Sequence, residues 1–66
     1  MYRIYDREEM IYIDMPESMK AFLDEINLVC KKHNLSISHE DTYGSFIIEE
    51  YDKDSIDWLF HADKCY

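Results

Sequence analysis

The sequence contains one glycine, one proline and two cysteines in 66 residues, and only seven lysines and arginines. Scarce glycine and proline leave little room for long loops, so most of the chain is expected in regular elements joined by short turns. Cys30 and Cys65 are too few for the disulfide framework of a small secreted domain. No run approaches the ~18 apolar residues that span a bilayer. The first 14 residues alternate charged and apolar types, unlike a signal peptide. A reduced, cytoplasmic protein is expected.

Against the few basic residues stand fifteen acidic ones, giving a net charge of −8. Direct nucleic-acid binding is disfavoured, because its affinity comes largely from Lys and Arg neutralising phosphates. An anionic membrane surface would repel the chain for the same reason. Partners with basic surfaces would be attracted, and steered in quickly at low salt. The bland use of such charge is solubility. Apolar residues make up 47% and aromatics 15%, too many for disorder and enough for one small core. A chain this short buries only about 60% of its unfolded surface, so a single domain over 1–66 with a thin stability margin is expected.

Residues 2–5 and 10–13 read as short strands about a polar turn that lacks glycine or asparagine. Met15, Met19, Phe22, Leu23, Ile26, Val29 and Cys30 recur at the three- and four-residue steps of one helix face. Asp14 stands where an N-cap would, with Glu17 at capping-box distance, and Pro16 suits a first turn. Lys31, Lys32, His33 and Asn34 suit the carboxyl end. Leu35-Ser36-Ile37-Ser38-His39 alternates as a half-buried strand, with His39 on the Leu35/Ile37 face at the core's rim. A turn at 40–44, where Gly44 can take positive φ, leads to a partner strand at 45–51. Asp52 or Asp54 then caps a last helix with Ile56, Leu59 and Phe60 as its buried stripe. The expected fold is α+β, ordered ββαββα, with a small antiparallel sheet covered by helices. Its free edges leave a symmetric homodimer open, through a sheet edge or the short helix.

Cys30-x-x-His33 and His61-x-x-x-Cys65 have spacings that put each pair on one helical face, and two Cys with two His is a tetrahedral zinc set. Against it, Cys30 continues the core stripe and Cys65 sits in the tail, so no metal is expected. His39-Glu40-Asp41 is more simply a solvated turn than an acid–base cluster. No Ser/His/Asp pattern, phosphate-cradling glycine loop or paired-cysteine motif occurs. No catalytic residue and no cofactor are expected. The acidic stretch Glu49, Glu50, Asp52, Asp54 and Asp57 is the most suggestive feature. A helix start welcomes Asp52 and Asp54 on dipole grounds alone. The functional reading is a row of carboxylates imitating duplex phosphates. Trp58 falls off the buried stripe; a second buried side is its simpler explanation, and interface anchoring, as for Tyr43 at the hairpin tip, the sharper one. Leu28 is a third exposed apolar candidate.

The string Leu35-Ser36-Ile37-Ser38-His39-Glu40-Asp41-Thr42-Tyr43-Gly44-Ser45-Phe46-Ile47-Ile48-Glu49, followed by Trp58-Leu59, resembles small uncharacterised proteins of bacteriophages of Gram-positive hosts. In those a Ser-His-Glu-Asp turn, a Gly, an apolar strand and a Trp-Leu helix recur in this order. The likeness takes in the preceding helix and leaves the amino-terminal strands outside. It assigns no reaction, and implies an accessory gene product of the kind encoded beside inhibitors of host defence or host nucleic-acid machinery.

The expected function is therefore non-enzymatic inhibition of a host protein, either a defence nuclease such as a CRISPR effector or a nucleoid or transcription protein. Glu49, Glu50, Asp52, Asp54 and Asp57 would supply charge, and Tyr43 and Trp58 apolar anchoring. Two other classes stay in play. One is an oligomeric binder of a nucleotide signal, for which Arg3, Arg7, Lys20 and Lys31 would have to converge; the other is a structural or assembly protein.

Overall fold

The computed structural model describes residues 2–66, and Met1 lies outside the described residues. The elements run β1 (Arg3–Asp6), β2 (Ile11–Asp14), α1 (Glu17–His33), β3 (Leu35–His39), β4 (Phe46–Glu50) and α2 (Lys53–Leu59). This is the ββαββα order that the periodicities predict. The strands, however, pair as two separate antiparallel hairpins, β1-β2 and β3-β4, and not as one sheet. The carboxyl-terminal tail gives the reason. Lys64 bridges Asp6 in parallel, donating its N–H to the Tyr5 carbonyl and accepting from Arg7 N–H, both at 2.8 Å. The outer edge of β1 is thus occupied by the tail and closed to a third strand.

The first turn closes without glycine because Asp6 replaces it. Its carboxylate, almost wholly buried, accepts the N–H groups of Glu8 at 2.9 Å and Glu9 at 3.2 Å, and Lys64 Nζ lies at 3.4 Å. Burial opposes ionisation of Asp6, but the two backbone donors and the ammonium outweigh it and hold the carboxyl below its ordinary range. Met10 takes a left-handed φ of 59° to finish the turn.

Helix α1 lacks the expected Asp14 cap. Pro16 is the N-cap residue and makes no side-chain cap hydrogen bond, while Asp14 ends β2 opposite Arg3. Proline costs nothing there, since first-turn amides have no helical partner. At the other end Asn34 adopts φ 57°, ψ 38° and its N–H meets the carbonyls of Cys30 and Lys31, as the sequence implies. Asp52 caps α2 by accepting Asp54 N–H at 2.9 Å.

Ile4, Met15, Leu23, Cys30, Ile56 and Phe60 form the core, with Tyr2, Ile13, Met19, Ile26, Tyr51 and Leu59 packed against it. The molecule measures 34 × 28 × 17 Å between Cα extremes. Its short dimension leaves room for one layer of buried side chains, so part of the α1 stripe stays outside. Phe22 and Val29, expected in the core, are exposed.

Candidate functional site

The second hairpin decides the character of the surface. In the register Ser36↔Glu49 and Ser38↔Ile47 share one face, while Leu35↔Glu50, Ile37↔Ile48 and His39↔Phe46 share the other. The serine face turns inward. Ser36 is fully buried, its hydroxyl donating to the Glu50 carbonyl at 3.0 Å and accepting Asp52 N–H at 3.2 Å. Ser55 of α2 is buried beside it and donates to Glu49 Oε1 at 3.0 Å. Small side chains at 36 and 55 let strand and helix approach closely, and each hydroxyl finds a partner there.

The apolar face therefore turns outward, opposite to the expected phase. Phe46 is 78% exposed and Ile48 63%, with Leu35 also exposed and Ile37 half-buried. His39 lies on this outer face and not at the core's rim, its ring meeting Phe46 edge-on at 5.5 Å. A depression lined by Phe22, Ile26, Val29 and Ile37 continues the face across α1. Another, lined by Ile37, Phe46, Trp58 and Leu59, carries it to α2. A third joins Met19, Phe22, Leu59 and Tyr66 behind them. Phe22, Ile37 and Leu59 each line two of the three, so the apolar surface is continuous. Monomeric proteins rarely leave so much contiguous apolar surface uncovered unless something binds there.

Trp58 is 51% exposed, so the simpler sequence reading of a second buried side gives way to a surface position. α2 has only seven residues and buries a single stripe, Ser55-Ile56 with Phe60 behind, which leaves no inward place for position 58. Tyr43 projects from the hairpin tip, the most exposed of the large apolar side chains. The tip is held by Glu40, whose carboxylate accepts the N–H groups of Tyr43 and Thr42. Those two donors pull the Glu40 carboxyl below its usual range against a smaller opposing effect of burial. Leu28 is exposed on α1.

The five acidic residues do not act alike. Glu49 is engaged by Ser55 and Asp52 by the α2 amino terminus. Glu50 stands on the outward apolar face, opposite Leu35, whereas Glu49 stands on the inward one. Asp54 is exposed and Asp57 half-buried on α2. Glu49, Asp52 and Asp54 gather at the start of α2, while Glu50 borders the apolar face.

Among the described residues no three His, Cys, Asp or Glu side chains assemble as a metal site. Cys30 is buried in the core and Cys65 exposed in the tail. Of the four cations that a phosphate site would need, three are engaged elsewhere, Arg7 to Asp63 at 2.8 Å, Lys20 to Asp24 at 2.7 Å and Arg3 to the Tyr12 carbonyl at 3.0 Å, while Lys31 is exposed near the end of α1. No helix of the described residues is long and apolar enough to cross a membrane.

The residues that sequence reasoning missed are Phe46, Ile48, Phe22 and Val29. Strict alternation fixes that Leu35 and Ile37 share a face but not which way that face points. The buried Ser36 was the available signal, since its hydroxyl can satisfy the strand-to-helix backbone.

No protein-family model matches the chain, and no solved structure matches it. Among curated proteins it is similar to LL-diaminopimelate aminotransferase of Nitratidesulfovibrio vulgaris (strain DSM 19637 / Miyazaki F). The two are 31% identical over 55 residues, which take in 74% of this chain and 14% of that protein. The chain thus spans a small fraction of the length of the relative it matches.

Proposed function

We propose that this chain is a non-enzymatic binding protein, a phage-type accessory factor that docks on a basic host protein and keeps it from nucleic acid. The observation that carries the reading is the outward apolar face of the second hairpin, bordered by Glu50 and continued by Trp58. Exposed aromatics beside carboxylates are what a basic, nucleic-acid-handling surface would meet: the rings supply buried area, the charges steer and orient. Phe46, Ile48, Tyr43 and Trp58 form the apolar contact. Glu50, Asp54 and Asp57 stay free to stand in for phosphates, while Glu49 and Asp52 first serve the fold. A defence nuclease such as a CRISPR effector, or a nucleoid or transcription protein, is the class of target.

The likeness to 14% of an aminotransferase is too small a share to bring that enzyme's activity with it. A nucleotide-signal binder is less well supported, because Arg3, Arg7 and Lys20 each have another partner.

The test is capture from bacterial lysate on the immobilised chain, followed by competition of the captured protein with DNA. A basic, DNA-binding protein should be retained at low salt, released at high salt, and displaced from DNA by the free chain. Retention should fall at least tenfold for Phe46→Ser/Trp58→Ser and for Asp54→Lys/Asp57→Lys. Capture indifferent to both double variants, or no effect on DNA binding, would refute the proposal.

A further inference from the structure

Each hairpin offers open strand edges, and an open edge is a template for another strand. The edges in this fold are not equal. The tail covers β1 through Lys64. On β2 the carbonyl of Tyr12 is already taken by the Arg3 guanidinium at 3.0 Å. β3 lies against both helices. β4 carries no such protection: its sequence Phe46-Ile47-Ile48-Glu49-Glu50 has no proline or lysine, and all five residues are exposed.

The hydrogen-bond phase of the hairpin shows which groups of β4 face outward. Glu40 N–H donates to the Ser45 carbonyl and Tyr51 N–H to the Asn34 carbonyl, at 2.7 and 3.0 Å. Alternation in an antiparallel ladder then points the backbone groups of 45, 47, 49 and 51 toward β3, and those of Phe46 and Ile48 and the Glu50 N–H away from it, while the Glu50 carbonyl is held by the Ser36 hydroxyl at 3.0 Å. Among the described residues no further hydrogen bond reaches the N–H and carbonyl of Phe46 and Ile48 or the N–H of Glu50.

We propose that β4 pairs antiparallel with β4 of a second copy, about a two-fold axis through Ile48. The strand is complementary to itself in that register and in no parallel one. Phe46 falls opposite the second copy's Glu50, Ile47 opposite its Glu49, and Ile48 opposite Ile48. The free outward groups are then used, making about four new hydrogen bonds: two between the Ile48 pair and one from each Glu50 N–H to the opposite Phe46 carbonyl. No glutamate faces a glutamate, whereas parallel pairing would stack Glu49 on Glu49 and Glu50 on Glu50. The two hairpins become one four-stranded sheet, and Ile37 and Ile48 of both copies form one apolar row across it. An edge contact of this kind buries on the order of 1,000 Å² in total, near the lower limit of specific interfaces, so a weak, concentration-dependent dimer is expected. Each copy carries −8, so screening favours association and the dimer strengthens as salt rises. Host-protein binding through carboxylates weakens with salt, which keeps the two readings separable.

Light-scattering mass is measured from about 10 µM to about 500 µM protein, at about 50 mM and about 500 mM salt. The expected result is a monomer–dimer equilibrium shifted toward dimer at high salt. Ile48→Pro removes an outward N–H and no hairpin bond, so it should give a monomer with an unchanged far-UV spectrum. Should that variant unfold, a second one decides: Ile48→Cys in a Cys65→Ser background. Directly paired Cα atoms lie about 5.5 Å apart, within disulfide reach, so oxidised glutathione should convert it to a covalent dimer, whereas Tyr43→Cys in the same background stays monomeric. A monomer at every concentration and salt, or a dimer indifferent to Ile48→Pro and not trapped by the Ile48→Cys pair, would overturn the proposal.

Discussion

Replacing Ser36 by alanine removes one oxygen from the fully buried point where β3 meets the start of α2. That oxygen donates to the Glu50 carbonyl at 3.0 Å and accepts Asp52 N–H at 3.2 Å. Each bond contributes about 1 kcal/mol net, and leaving a buried partner unsatisfied raises the cost, so about 1.5–3 kcal/mol is expected. A chain of this size has only about 3–10 kcal/mol of total stability. The loss corresponds to a fall in Tm of about 6–24 °C, read by circular dichroism or calorimetry. The companion change Phe46→Ser removes far more apolar surface, yet should alter stability by no more than about 0.5 kcal/mol, because Phe46 already faces solvent. If the hairpin were turned the other way the ranking would invert, since truncating a buried Phe costs about 3–5 kcal/mol. A Ser36→Ala variant as stable as the parent, with Phe46→Ser strongly destabilised, refutes the inward serine face.

Acid should loosen the first hairpin. The folded Asp6 carboxyl lies below its unfolded value of about 3.9, so its stabilisation is full above that pH and is lost as pH falls through the folded value; an acid titration of Asp6→Asn should lack this part of the transition. Met10→Gly should stabilise by up to about 1 kcal/mol in a denaturant melt, because φ 59° strains any residue with a Cβ. Asp52→Ala should cost about 1 kcal/mol through loss of the α2 cap, and Asp52→Asn should recover most of it.

Local chemistry made much of the architecture legible. The stripe Met19, Leu23, Ile26, Cys30 has one solution, a helix with that side inward, and Asn34 ends it by a conformation few other residues adopt. Asp52 as cap and the turn at Gly44 were equally local. The Asp14 cap failed because strand pairing with Arg3 claimed that residue first. The single sheet failed because the tail, far away in sequence, took the edge of β1. Phe22 and Val29 were misplaced for a common reason: pattern gives a face, and thickness decides whether anything lies over it.

Sequence alone determined the order of elements, the helix and its exit, and the excess of negative charge. Tertiary structure alone decided which side of β3 and β4 looks inward, since alternation is symmetric and only the docking of Ser36 against Asp52 and Glu50 breaks the tie. It also decided that the edge of β1 is closed, because the residue that closes it, Lys64, is remote in the chain. Composition supplied the exposed aromatics; packing put Phe46, Ile48 and Trp58 on the outside.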